Sequence, residues 1–108
     1  MKPLLLSLLA IAALTAAPEK HFFTGVITDS MCARGDHSQM KMGPTDAECT
    51  IACIREHGAA YVLFDGKKAY DLGNQQTPEK FAGKRVAITG TLDGKTHTIQ
   101  VDSIAASK

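Results

Sequence analysis

Residues 84–104 alternate in a way that suits a two-faced β-sheet and little else. Val86, Ile88 and Leu92 share one side of a β-prone run, and Ile99 and Val101 share one side of the next. Side chains on a strand point alternately to opposite faces, so this spacing buries one face and leaves the other wet. Asp93-Gly94 stands between the runs and supplies the turn chemistry of a hairpin.

The same logic extends backwards. Tyr61-Val62-Leu63-Phe64 and Lys68-Ala69-Tyr70-Asp71-Leu72 flank Asp65-Gly66, a second hairpin signal. Residues 22–30 read as a strand in which Gly25 marks a bulge or sharp bend, and Gly90 has the same corner role in the later run. Residues 31–43 show neither strand nor helix periodicity and carry Gly35, Asp36, Ser38 and Gly43, so they form a loop. Thr45-Asp46-Ala47-Glu48 is a capping box, predicting a helix from there to about His57 with Gly58 in the left-handed position after it. Thr77-Pro78-Glu79 offers an N-cap followed by proline, hence a short helix to Ala82 closed by Gly83. The resulting fold class is mainly β: a five-stranded OB-like Greek-key barrel with an α-helix inserted between strands 1 and 2 and a short helix between strands 3 and 4.

The first residues pair Lys2 with an apolar run from Leu4 to Leu14, then Thr15-Ala16-Ala17. That is the pattern of a secretory signal peptide over residues 1–17, and the run falls short of the roughly 20 residues of a membrane span. Residues 18–108 then form a single domain, with residues 31–58 as its Cys/His-rich insertion. The expected location is the periplasm or the medium outside a bacterial cell, free of the membrane once the signal is removed. Losing Lys2 takes the formal charge from +1 to zero, which makes nucleic acid an improbable partner.

All 3 cysteines lie inside the insertion, as Cys32, Cys49 and Cys53. An odd number leaves at least one thiol outside any internal disulfide. With His37, the spacing C-x4-H-x11-C-x3-C supplies a Cys3His set, the donor chemistry of a tetrahedral zinc site. At about 100° per residue, Cys49, Cys53 and His57 share one helix face while Ala47, Ile51 and Ile54 share another. The isoleucine face is expected on the barrel, with the sulfur face turned sideways or outward under the preceding loop. Cys32, His37, Cys49 and Cys53 are therefore the predicted metal ligands, with His57 the rival to His37. Met31, Met40 and Met42 add soft thioethers to the same loop, so the ion is zinc or copper; the plainer role of these methionines is to fill the gap between loop and barrel.

Two alternatives use the same residues differently. A disulfide from Cys32 to Cys49 or Cys53 would close a loop of about 15 to 20 residues and contribute roughly 3 kcal/mol, giving a metal-free interaction module for a protein or saccharide. A Cys49–Cys53 redox pair is the third reading, strained by its placement on one helix. Tyr61, Phe64 and Tyr70 could stack bases, but the neutral charge argues against a nucleic-acid role. Without a lid, a second domain or a recognised nucleophile motif, the expectation is a binding protein and not an enzyme; Asp29 and Asp36 near Cys32 would raise its thiol pKa, which disfavours a nucleophile.

The closing stretch FAGKRVAITGTLDGKTHTIQVDSI resembles the matching part of small exported bacterial OB-fold proteins. DSMC, the following histidine and CTIAC are similar to motifs of short, uncharacterised secreted bacterial proteins that carry a domain of unknown function. The resemblance covers most of the chain after the signal peptide. It implies an OB-fold-like barrel with a Cys/His-containing insertion.

Overall fold

The computed structural model describes residues 19–108, so the signal peptide expected at residues 1–17 lies outside the described residues. In chain order the elements are β1 (His21–Asp29), α1 (Asp46–His57), β2 (Tyr61–Phe64), β3 (Ala69–Leu72), a 3-10 turn (Thr77–Phe81), β4 (Arg85–Asp93) and β5 (Thr98–Ala106). The fold is mainly β, and its five strands close into a ring in the order β1-β2-β3-β5-β4. All neighbouring pairs are antiparallel except β3 with β5. No helix among the described residues is long and apolar enough to cross a membrane.

Both hairpins form where turn chemistry places them. Between β2 and β3, Asp65 Oδ1 accepts from the N–H groups of Lys67 and Lys68 at 2.8 and 2.7 Å. Those bonds hold the Asp65 carboxyl below its ordinary range. Between β4 and β5 the turn is longer than expected: Asp93 Oδ1 accepts from Lys95 N–H at 2.9 Å, and His97 takes a left-handed φ of 54° before β5 begins. The strand therefore starts at Thr98 and not at Lys95.

Ile27, Leu63, Val86, Ile88 and Ile99 are fully buried inside the ring, with Tyr61 and Leu72 beside them. Leu92 departs from the expected alternation. It is 36% exposed, near the 80% exposed Phe22, because the barrel interior ends one step earlier at Gly90. Tyr61 is 2% exposed, so its ring belongs to the core and offers no stacking surface.

The two strand glycines serve different ends. At Gly90 the β4–β5 register shifts: Thr89 faces Ser103 while Gly90 faces Val101, so Asp102 is the extra residue of a bulge. At Gly25 the β1–β4 ladder runs on without a register shift, so no bulge forms there. Glycine is needed for another reason: a Cβ would collide with the Phe64 carbonyl where β1 begins to pair with β2.

The helices follow their local signals with two corrections. Thr45 caps α1 by accepting from Glu48 N–H at 3.1 Å, and Gly58 closes it at φ 65°. The Glu48 carboxylate accepts from the Thr45 hydroxyl at 3.3 Å instead of reaching the Thr45 backbone. In the 3-10 turn, Thr77 lies inside the element and the N-cap position, Gln76, makes no side-chain cap bond; Asn74 Oδ1 just ahead accepts from Gln76 and Thr77 N–H at 2.9 and 3.1 Å.

The β1–β2 pair ends at Asp29 opposite Tyr61, and just beyond it Ser30 N–H donates to Ala60 O at 2.8 Å. The whole insertion is thus one long hairpin connection that leaves and re-enters the barrel at a single point. Its helix sits close to the ring at Gly83, where a Cβ would stand 2.8 Å from Ala47 N. We expect Gly25→Ala to destabilise the fold by about 2 kcal/mol or more through overpacking. Thr45→Ala should cost about 1 kcal/mol. Urea denaturation midpoints of the two variants read both.

Candidate metal centre

β1 ends in two polar residues that are completely buried, Thr28 and Asp29. Buried polar groups are normally hydrogen-bonded, and the insertion supplies bonds to Thr28 Oγ1 and Asp29 Oδ1. Asp29 Oδ1 accepts from Met31 and Cys32 N–H at 3.0 and 2.9 Å, folding the chain back at once and aiming Cys32 inward. Thr28 Oγ1 donates to Cys32 O at 2.8 Å. Gly35, at φ 73°, then donates to the same carbonyl at 2.8 Å and turns the loop so that His37 returns over β1.

His37 is buried above this corner. Its Nε2 lies 3.5 Å from Thr28 Oγ1, and its Nδ1 is 4.0 Å from Asp29 Oδ2. On the other side α1 brings in Cys49, whose thiol donates to Met40 O at 2.9 Å and accepts from Met42 N–H at 3.4 Å. The loop therefore lies directly on the sulfur.

Cys32, His37 and Cys49 converge: one donor atom from each lies within 4.8 Å of the others, all three residues being buried. They are close enough to bind a metal ion. Of the other residues predicted as ligands, Cys53 sits one helical turn beyond Cys49, fully buried and within interaction range of it, yet outside that three-residue group. His57, the rival to His37, is exposed at the end of α1. The three cysteines are free thiols, with no two at disulfide distance.

The sulfur face of α1 is its most buried face, against the expectation that it looks sideways or outward. Cys49, Thr50 and Cys53 are buried, whereas Ala47, Ile51 and Ile54 pack on the barrel only partly covered. An open cleft of about 450 Å³ reaches the centre from solvent, with His37 and Cys49 in its lining between Ser38, Lys41 and Thr45.

The electrostatics oppose free thiolates. Burial pushes the Cys32 thiol up, and the neighbouring Asp29 charge and Cys49 push it further, with Asp36 adding the least. The expected direction of the acidic neighbours is thus met, although desolvation is the larger cause. Cys53 is pushed from 9.0 to about 12, by burial first and then by Asp29 and the other cysteines. A bound cation would reverse this balance by holding the sulfurs deprotonated.

Sequence reasoning had Asp29 only as a charge near Cys32 and gave Thr28 no role. The signal for Asp29 was local: an aspartate whose side chain can accept from N–H groups two and three residues ahead. Comparison of the chain with protein-family descriptions, curated proteins and solved structures finds no match.

The raised thiols set the alkaline behaviour of the metal-free protein. An unfolded Cys53 loses its proton near 9, while the folded one keeps it to about 12. Between those values the unfolded state binds fewer protons, so stability falls as pH rises. Denaturation midpoints measured from pH 8 upward should decline beyond pH 9, and Cys53→Ala should flatten that decline.

Proposed function

We propose that the protein is an exported OB-like barrel whose inserted loop and helix bind one zinc or copper ion, as a structural staple or as a carrier. The ion is held by Cys32, His37 and Cys49, with Cys53 as the fourth donor. The observation that carries this reading is the convergence of those first three buried residues within 4.8 Å.

Several features support the finer points. The closed ring with α1 between β1 and β2 agrees with an OB-like architecture. Thiolate and imidazole are the donors zinc and copper favour over harder cations. Cys53 lies on the same face of α1 as Cys49, one turn away. Export rests on the apolar run of residues 4–14 behind Lys2. The role is binding and not catalysis, since four protein donors leave no open position on the ion.

A small domain gains much from such a centre, because the ion ties the loop to the helix at the point where both cover the barrel. Binding free energy then becomes folding free energy. Saturation at a hundred times the dissociation constant adds about 2.7 kcal/mol to stability.

The test is native mass spectrometry of the protein purified without chelator, repeated after zinc or Cu(I) titration. One ion per chain is expected, with release of protons on binding. Cys49→Ser should weaken binding by more than about a hundredfold, beyond the usual effect of an outer-shell change, and remove the ion-dependent rise in melting temperature. Wild-type protein that binds neither ion, or a Cys49→Ser variant that binds as tightly as wild type, would refute the reading.

A further inference from the structure

Two buried polar atoms that face each other have no hydrogen-bond partner, Asp29 Oδ2 and His37 Nδ1. They stand 4.0 Å apart, too far for a hydrogen bond. Asp29 is 0% and His37 8% exposed, so water does not readily compensate either. Leaving both unpaired is costly, and the pair includes His37, one of the three converging residues.

The second oxygen of Asp29 is committed, whereas the second nitrogen of His37 has only a contact at the 3.5 Å limit of a hydrogen bond. Asp29 Oδ1 accepts from two N–H groups at the Cys32 turn. His37 Nε2 looks toward Thr28 Oγ1, whose hydrogen goes to Cys32 O. Two tautomers of a neutral ring are available. With the hydrogen on Nε2, the Nδ1 lone pair is aimed at a carboxylate oxygen and repelled. With the hydrogen on Nδ1, a small tilt of the ring closes the gap to Oδ2 and leaves the Nε2 lone pair free for an ion.

We propose that Asp29 is the positioning residue of the centre: it holds Nδ1–H of His37 so that Nε2 bonds the ion, and its charge makes the centre select zinc over Cu(I). The selectivity follows from charge. Three thiolates and a buried carboxylate together carry four negative charges; a dication leaves two uncompensated and a monocation leaves three, and uncompensated buried charge is strongly unfavourable. This inference rests on the proposed function, in which Cys32, His37 and Cys49 hold an ion.

Asp29→Asn separates the two tasks of the side chain. The amide oxygen still accepts from Met31 and Cys32 N–H, while the NH₂ group now faces Nδ1 as a donor and drives the ring hydrogen to Nε2, where it blocks the ion. In the full chain we expect zinc affinity, measured by chelator competition, to fall tenfold to a hundredfold, the range for a carboxylate behind a ligating histidine. Cu(I) affinity, measured anaerobically, should fall less, so the zinc-over-copper preference narrows. Ring ¹⁵N NMR of the wild-type protein loaded with zinc should show His37 bonded through Nε2 and protonated at Nδ1, a readout that needs no variant.

Nδ1 bonded to zinc, or Asp29→Asn keeping wild-type zinc affinity and preference, would overturn the role of Asp29 while leaving the centre itself in place. Failure of the wild-type protein to bind zinc or Cu(I) would remove the centre and this inference together.

Discussion

The buried polar end of β1 is the constraint on which the rest of the insertion depends. Thr28 and Asp29 are fully covered, and a bare hydroxyl and carboxylate at that depth would be strongly destabilising. The loop after them answers with Met31 N–H, Cys32 N–H and the Cys32 carbonyl. Strand end and loop therefore specify each other. The turn that satisfies Asp29 is the same turn that points Cys32 inward, and the hydroxyl that holds Cys32 also lies against His37.

The helix is placed by contacts of a different kind. Ala47, Ile51 and Ile54 lie on the barrel, and Gly83 permits a close approach at the first turn. With that face fixed, Cys49 and Cys53 turn beneath the loop, where Met40 O and Met42 N–H meet the Cys49 sulfur. Loop and helix meet mainly through sulfur and backbone polar groups. In the proposed centre an ion replaces weak thiol contacts with coordinate bonds at this junction, and the open cleft beside His37 and Cys49 gives it a route of entry.

Much of this was legible from local chemistry. The Thr45 cap, the Gly58 stop and the Asp65-Gly66 turn depend on neighbours in sequence, and each appears where the residues place it. Cys32, His37 and Cys49 could be grouped because cysteine and histidine in one short stretch have few other uses. What escaped depends on tertiary context. Helical periodicity separates two faces of α1 but does not say which is covered more, and the loop covers the sulfurs. Leu92 continues a pattern past the end of the barrel interior, and Asn74 outcompetes Thr77 for neighbouring N–H groups. Asp29 is legible in the sequence only as a charge near Cys32, because burial of a carboxylate cannot be read from a strand's spacing.

The central claim is that sulfur and imidazole from the insertion surround a single ion. X-ray absorption at the metal edge of the zinc-loaded protein addresses it most directly, since Zn–S bonds of about 2.3 Å separate cleanly from Zn–N bonds of about 2.0 Å. Three sulfur scatterers and one nitrogen are predicted. A shell of nitrogen and oxygen alone would place the ion elsewhere on the protein and contradict the centre.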